Sequence, residues 1–433
     1  MTVREIALSL LMEYEGSGKY ANLSLSSHKA DSLSKSDRGF LTVLLYTAVE
    51  RKLTYDYLIS SLAGRNISDV SPRAKNILRL GLCQLMHLDS VPDFAAVNET
   101  VKLAGSRAER GFVNAILREA LRRKDELPMP DKNKNIARYF SVFYSFPQEL
   151  VKHFIKSFGE EKTEALLAYF NSVPKTTLSV NTAKISPDDF LSALKEKGYE
   201  AVRGEFSEIS VNISGSVNPC EVFGYNEGYF FVQDEASAIA AYALGAKKDD
   251  IVIDVCACPG GKSFATAILS GGAKIHAFDL HESKLSLIRD GAKRLGVDIS
   301  VSAKDATEPD FALFGTADKL ICDVPCSGLG VLAKKPDLRY KDTESLKRLP
   351  ELQLKILTAT SQYLKSGGEL IYSTCTLNEA ENQEVVRAFL SQNAGFTPVD
   401  FSVGTLVSEG GMLTLIPSEH KTDGFFIAKI KKL

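Results

Sequence analysis

No segment of this 433-residue sequence runs 18 apolar residues without a charge, so no membrane span is expected. The first residues, M-T-V-R-E-I-A-L-S-L-L-M-E-Y-E, begin like a secretion signal but carry Glu5, Glu13 and Glu15. They read as an amphipathic helix. Cysteine is sparse and odd in number, seven in all, which argues against a disulfide framework and for reduced thiols in a cytoplasmic protein. Cys256 and Cys258 form a C-x-C with no second pair of His or Cys at ligand spacing, so no metal site is expected. Internal repeats and low-complexity tracts are absent. Neither G-x-G-x-x-G nor G-x-x-x-x-G-K-[ST] occurs where a dinucleotide or a nucleoside triphosphate would need it.

What is present is an ordinary globular composition, 44% apolar and 24% charged, at a length that suggests two to four domains. The net charge of −2 is uneven. Residues 1–138 hold 21 Lys and Arg against 16 Asp and Glu, and the remainder 31 against 38. A mildly basic N-terminal part on an acidic body suits nucleic-acid contact there, and a solvated helical surface equally well.

Residues 1–124 read as all-helical, with apolar residues at helical spacing in R-G-F-L-T-V-L-L-Y and R-A-K-N-I-L-R-L-G-L-C-Q-L. Ser36-Asp37 and Ser71-Pro72 are helix starts. The proline-containing D-E-L-P-M-P-D-K-N-K-N-I-A marks a linker over 125–138. Residues 139–232 read as a helical connector followed by a small α+β subdomain, with Ser186 capping its helix and Gly198 ending it. From 233 to 433 strands alternate with helices: I-V-I-D-V-C, K-I-H-A-F-D-L, I-S-V-S-A-K-D, K-L-I-C-D-V and G-E-L-I-Y-S-T-C. That pattern predicts a Rossmann-like α/β domain with a mostly parallel sheet, and the two closing strands predict one antiparallel strand.

The first turn of that domain is D-V-C-A-C-P-G-G-K-S. Ligands of open α/β sheets bind beyond the carboxyl ends of the strands. Gly260 and Gly261 allow close approach, and the following helix start can hold a carboxylate. Asp279, Asp305 and Asp323 end the next strands. The first suits a ribose diol, and the second an adenine amino group. Each alone could be a turn-former. Three in succession after a glycine loop describe S-adenosylmethionine.

Asp323, Cys326 and Cys375 lie at two further strand ends. A thiolate that adds to carbon 6 of a cytosine makes carbon 5 nucleophilic, and a base must later remove the carbon-5 proton. These three residues supply candidates for each task. For Cys83, Cys220, Cys256 and Cys322 the expectation is a buried small residue, and Cys258 fits that reading less well. A disulfide between Cys326 and Cys375 remains open by position, but it would be transient in a reducing compartment. Chemistry alone does not choose which thiol attacks.

The stretches D-V-C-A-C-P-G-G-K, C-D-V-P-C-S-G-L-G-V, Y-S-T-C-T-L-N-E-A-E-N and D-G-F-F-I-A-K resemble the RNA 5-methylcytosine methyltransferases, over roughly residues 140–433. D-R-G-F-L-T-V-L-L-Y, R-A-K-N-I-L-R-L-G-L-C-Q-L and G-F-V-N-A-I-L-R-E-A-L-R-R are similar to NusB, a helical RNA-binding fold. The fusion resembles a bacterial group that modifies small-subunit ribosomal RNA. The resemblance implies Cys375 as nucleophile, Cys326 in product release and Asp323 at the base. It implies cofactor contacts from Cys256, Ala257, Cys258, Pro259, Gly260, Gly261, Lys262, Asp279, Asp305 and Asp323. The family often has Arg where this chain has Ser179, basic residues near Ala333, and Ala at Cys258.

The target carbon is hidden in a duplex, so the base must be unstacked. Lys334, Lys335, Arg339, Lys341, Lys347 and Arg348, with Tyr340 interleaved, form a candidate phosphate rim, diluted by Asp337, Asp342 and Glu344. Arg118, Arg122, Arg123 and Lys124 form a second, for which a helix C-terminus complementing its dipole is the competing reading. The expectation is an S-adenosylmethionine-dependent ribosomal RNA methyltransferase, monomeric, with no membrane or obligate protein partner. A non-catalytic RNA-binding factor would not need Asp323, Cys326 and Cys375. The same chemistry on transfer RNA stays open.

Overall fold

The computed structural model describes residues 1–17, 33–215, 217–341 and 347–433. They divide into two compact units: residues 1–171 with 335–341, and residues 172–334 with 342–433. Among the described residues no helix is long and apolar enough to cross a membrane.

The first unit is helical. Its elements are α1 (Val3–Ser17), α2 (Lys35–Glu50), α3 (Lys52–Ala63), α4 (Pro72–His87), α5 (Asp93–Val101), α6 (Arg107–Arg122), α7 (Ile136–Tyr144) and α8 (Gln148–Phe170). Ser71 accepts from the Ala74 N–H with Pro72 at the first helical position, as expected. Helix α2 starts earlier than Ser36. Ser34 is the cap and accepts from the Asp37 N–H, because that residue keeps the extended backbone a cap requires. Leu41, Leu44, Leu45, Ile77, Leu80 and Leu117 are buried in one core. Within it Arg79 of α4 holds both oxygens of Asp56 on α3 at 2.7 Å and also pairs with Glu15 of α1.

Helices α7 and α8, the expected helical connector, pack with this unit. Thr54 Oγ1 donates to Val142 O (2.5 Å), the Leu53 N–H donates to Ser145 Oγ (3.1 Å), and Phe140, Phe146, Phe154 and Phe170 are buried. Arg339 and Tyr340 are not surface residues. The Arg339 side chain is 0% exposed, lies 3.9 Å from the Phe146 ring centre and donates to Phe170 O (3.0 Å). Tyr340 donates its hydroxyl to Val49 O and Glu50 O at 3.2 and 3.1 Å. A buried guanidinium beside carbonyl acceptors supports the fold and cannot meet a phosphate. Asp342 and Glu344 lie outside the described residues.

The second unit opens with a small antiparallel sheet in the order β2-β3-β1-β4. Its strands are β1 (Thr176–Val180), β2 (Ala201–Arg203), β3 (Ser210–Ile213) and β4 (Phe230–Val232). Helix α9 (Pro187–Glu196) is capped by Ser186 and buries Phe190 against Phe230. The large sheet comprises β5 (Ile251–Asp254), β6 (Lys274–Asp279), β7 (Ile299–Ala303), β8 (Ala317–Asp323), β9 (Leu364–Thr374), β10 (Phe396–Pro398), β13 (Met412–Leu415) and β14 (Phe425–Lys432). The short strands β11 (Ser402–Val403) and β12 (Leu406–Val407) pair separately. The order β10-β14-β9-β8-β5-β6-β7 is parallel from β7 to β9, and β14 runs antiparallel to β9. Helices α10 (Glu235–Leu244), α11 (Gly261–Ser270), α12 (Leu285–Leu295), α13 (Leu349–Ser361) and α14 (Gln383–Gln392) accompany it, and α15 (Pro417–His420) is a single turn. The strand order reverses between β5 and β8, which opens a crevice at the strand ends.

Candidate active site

The turn after β5 leads into α11. Asp254, 1% exposed, ends the strand and accepts from Ser263 Oγ at 2.7 Å, which fixes the first turn of the helix. Burial pushes its carboxyl up to about 7. Gly260 sits at φ +110°, and no side chain caps α11. Asp279, ending β6, accepts from the Cys258 N–H (3.2 Å) and the His281 N–H (3.1 Å). Asp305 lies just beyond β7 and holds the Thr307 N–H and hydroxyl, bonds that lower its pKa. Both acids therefore shape their own turns at the crevice mouth.

Asp323 ends β8. One oxygen accepts from Lys262 Nζ (2.6 Å) and the other from Ser373 Oγ of β9 (2.7 Å). Lys262 also lies 4.9 Å from the Phe425 ring centre. Residues from three elements thus converge on one carboxylate. Cys375 follows β9 directly and Cys326 lies three residues beyond β8, and their sulfurs lie 3.0 Å apart as free thiols. The hydrogen bond to Cys375, with burial added, pushes the Cys326 thiol up.

The two cysteine loops are braced by residues that the sequence reading did not single out. Glu381, fully buried, accepts from the Ser327 N–H (2.8 Å) and from Gln353 Nε2 (3.0 Å), while Gln353 also donates to Pro325 O (2.9 Å). Asn382 accepts from Thr374 Oγ1 (2.5 Å) and donates to Thr376 O (2.9 Å). The Gly330 N–H donates to Cys375 O (3.0 Å), and the Gly424 N–H to Gly330 O (2.9 Å). A Cβ on Gly330 would lie 1.9 Å from Gly424 O, so only glycine fits there. The signal was in hand, since N-E-A-E-N and D-G-F-F carry these residues, but their role is visible only once the loops meet.

Lys334 is a correction. It lies between Asp234 (2.5 Å) and Asp423 (2.8 Å), and the Asp423 N–H donates to Asp234 Oδ1 (3.0 Å). Burial, reinforced by Asp234, raises Asp423 to about 7. An ammonium so engaged anchors the loop and is not a phosphate contact. Lys335 is exposed, as are Lys347 and Arg348. Arg122 and Arg123 are exposed and both pair with Glu119. Cys83 and Cys322 are buried as expected. Cys220 is exposed, because it sits in a turn whose cap is Asn218. Among the described residues no group of three or more His, Cys, Asp or Glu could hold a metal ion.

A strand-order reversal at β5 and β8, an uncapped helix start after a glycine turn and acids at successive strand ends fit S-adenosylmethionine. They define an S-adenosylmethionine-dependent methyltransferase. Three family descriptions match the chain: NusB over residues 1–122, the ferredoxin-like domain of RsmF/B-like methyltransferases over 146–219, and 16S rRNA methyltransferase RsmB/F over 241–431. The chain is 35% identical over 450 aligned positions to a probable ribosomal RNA small subunit methyltransferase B of Bacillus subtilis, covering 100% of this chain and 99% of that one. It is 29% identical to the ribosomal RNA small subunit methyltransferase B of Pseudomonas putida, over 96% of this chain and 95% of the other. The crystal structure of PH0851 superposes with a TM-score of 0.79 at 26% identity, over 100% of this chain and 99% of that one. The chain belongs to the RsmB/F family of 16S rRNA methyltransferases.

Proposed function

We propose that the protein methylates carbon 5 of a cytosine in small-subunit (16S) ribosomal RNA through a covalent bond between Cys375 and carbon 6, which places it in the cytoplasm. The observation that carries this reading is the 3.0 Å approach of Cys326 to Cys375 beside Asp323. A binding module has no use for two thiols in contact over a cofactor crevice.

Cys375 adds to carbon 6 as the thiolate and forms the S–C bond. Asp323, held by Lys262 and Ser373, faces the ring edge, where nitrogen 3 takes a proton from water as charge moves onto the ring. The cofactor supplies an electrophilic methyl group to carbon 5. Cys326 then loses its proton to water and takes the carbon-5 proton. The electron pair of that C–H bond restores the ring double bond, the S–C bond breaks, and Cys375 leaves as thiolate. Nitrogen 3 returns its proton to water, so one proton is released per turnover.

Lys335, Lys347 and Arg348 of the first candidate rim, and Arg118, Arg122, Arg123 and Lys124 of the second, remain exposed as proposed RNA contacts. The test is incubation of the full chain with labelled cofactor and unmethylated small-subunit RNA, followed by mapping of 5-methylcytosine. New 5-methylcytosine is expected. None, from folded protein that binds cofactor, contradicts the proposal.

A further inference from the structure

We propose that Gln233 is a cofactor-binding residue whose side-chain amide donates to the carboxylate of the S-adenosylmethionine amino-acid tail, and that Ser179 orients it. The proposal rests on the cofactor assignment and not on the cytosine chemistry.

Gln233 lies between β4 and α10 and is only 6% exposed. Its carbonyl oxygen is engaged, accepting from Ser179 Oγ at 3.0 Å. Its Nε2 is buried with no hydrogen-bond partner. That atom faces the start of α11, where a Cβ built on Gly261 would lie 3.3 Å from it. A buried amide left without an acceptor is destabilising, so the arrangement calls for an acceptor that arrives.

The neighbourhood states the sign of that acceptor. The first N–H groups of a helix have no intrahelical partner, and α11 has no side-chain cap. Helix α11 is 10 residues long, so its start carries the positive end of a full helix dipole. The Gln233 NH₂ adds another donor. A spot furnished with donors takes an anion, and the anion of this cofactor is its carboxylate. Lys262 does not compete, because its ammonium is bound to Asp323 at 2.6 Å.

Ser179 gives the pair its direction. Its hydroxyl donates to the Gln233 carbonyl, which turns the NH₂ toward the helix start. Here a short hydroxyl orients a neutral amide.

The experiment is calorimetric binding of S-adenosylhomocysteine and of decarboxylated S-adenosylmethionine to the full chain. Wild type binding the first establishes the cofactor reading on its own. Gln233→Glu keeps the shape but removes the donor and adds a charge. It is expected to weaken S-adenosylhomocysteine about 10–100-fold and to change the decarboxylated ligand less than about twofold. Ser179→Ala is expected to show the same selectivity at about 2–5-fold. Equal weakening of both ligands by either variant, or no weakening of S-adenosylhomocysteine by Gln233→Glu, overturns the proposal. Should Gln233→Glu fail to fold, Ser179→Ala decides alone: selective loss supports the proposal, and its absence overturns it.

Discussion

In each unit a cation sits between two carboxylates, and the two clusters differ in what they hold. In the first unit Arg79 joins α1, α3 and α4 through Glu15 and Asp56. In the second Lys334 joins the start of α10, the end of the Cys326 loop and the residue before Gly424. A guanidinium fork fixes two carboxylate oxygens at once and suits rigid helices. An ammonium is a point charge and suits loops whose exact approach is set elsewhere, here by the Gly330–Gly424 and Gly330–Cys375 backbone bonds. The same pairing thus supports the fold in one unit and the spacing of two thiols in the other.

The largest expected effect separates these roles. Arg79→Met leaves two carboxylates without their cation in a helical core and should cost about 3–5 kcal/mol, read as lost amide-exchange protection in α4. Lys334→Met should leave that protection intact and lower methyl transfer at least about tenfold, because the loop from Cys326 onward loses its anchor. Transfer at the wild-type rate in Lys334→Met would reduce the second cluster to a support of the fold.

A smaller effect lies in pH. Burial opposes the charge on Glu15, but Arg79 outweighs it and lowers the pKa in the folded state. Its contribution is present above the ordinary glutamate range and is lost as pH falls through the lowered folded value. Asp254 has the opposite sign. Its folded value of about 7 exceeds the unfolded one, so its contribution is full below the ordinary aspartate range and declines as pH rises toward 7. Amide exchange at pH 5 and 7.5 should show the second unit losing protection at the higher pH. Asp254→Asn should reduce that slope, leaving the part that belongs to Asp423, which is also raised to about 7, while Glu15→Gln leaves it unchanged. A slope that Asp254→Asn does not reduce would contradict the assignment.

The smallest effects concern RNA. Lys335→Ala, Arg122→Ala and Arg123→Ala should each weaken RNA binding about 2–3-fold and reduce its salt dependence, with folding unchanged. Arg339→Ala should instead destabilise the first unit. Filter binding at two salt concentrations, alongside thermal unfolding, distinguishes the two outcomes.

Element types and the position of the cofactor turn were legible because they follow from local patterns. The 3.6-residue apolar spacing marks α2 and α4, and strand ends followed by Asp mark β6 and β8. The fate of individual cations was not legible. Lys334, Lys335 and Arg339 lie within six residues, yet one is tied to two aspartates, one is exposed and one is fully buried. Charge alone carries no information on which side chain finds a partner distant in sequence. Glu381 and Asn382 were hidden for the same reason, since their partners come from loops that meet only in the fold. The association of α7 and α8 with the first unit depends on long-range packing of Phe140, Phe146 and Phe154, which no local pattern reports.

The central claim is the division of labour between the two thiols, and one pair of variants tests it directly. Purified Cys326→Ala and Cys375→Ala proteins are incubated with cofactor and small-subunit RNA, then resolved under denaturing conditions. Cys326→Ala should accumulate a covalent protein–RNA adduct, because it attacks and cannot remove the carbon-5 proton. Cys375→Ala should form none while still binding cofactor. An adduct in Cys375→Ala and none in Cys326→Ala would contradict the account and exchange the two roles.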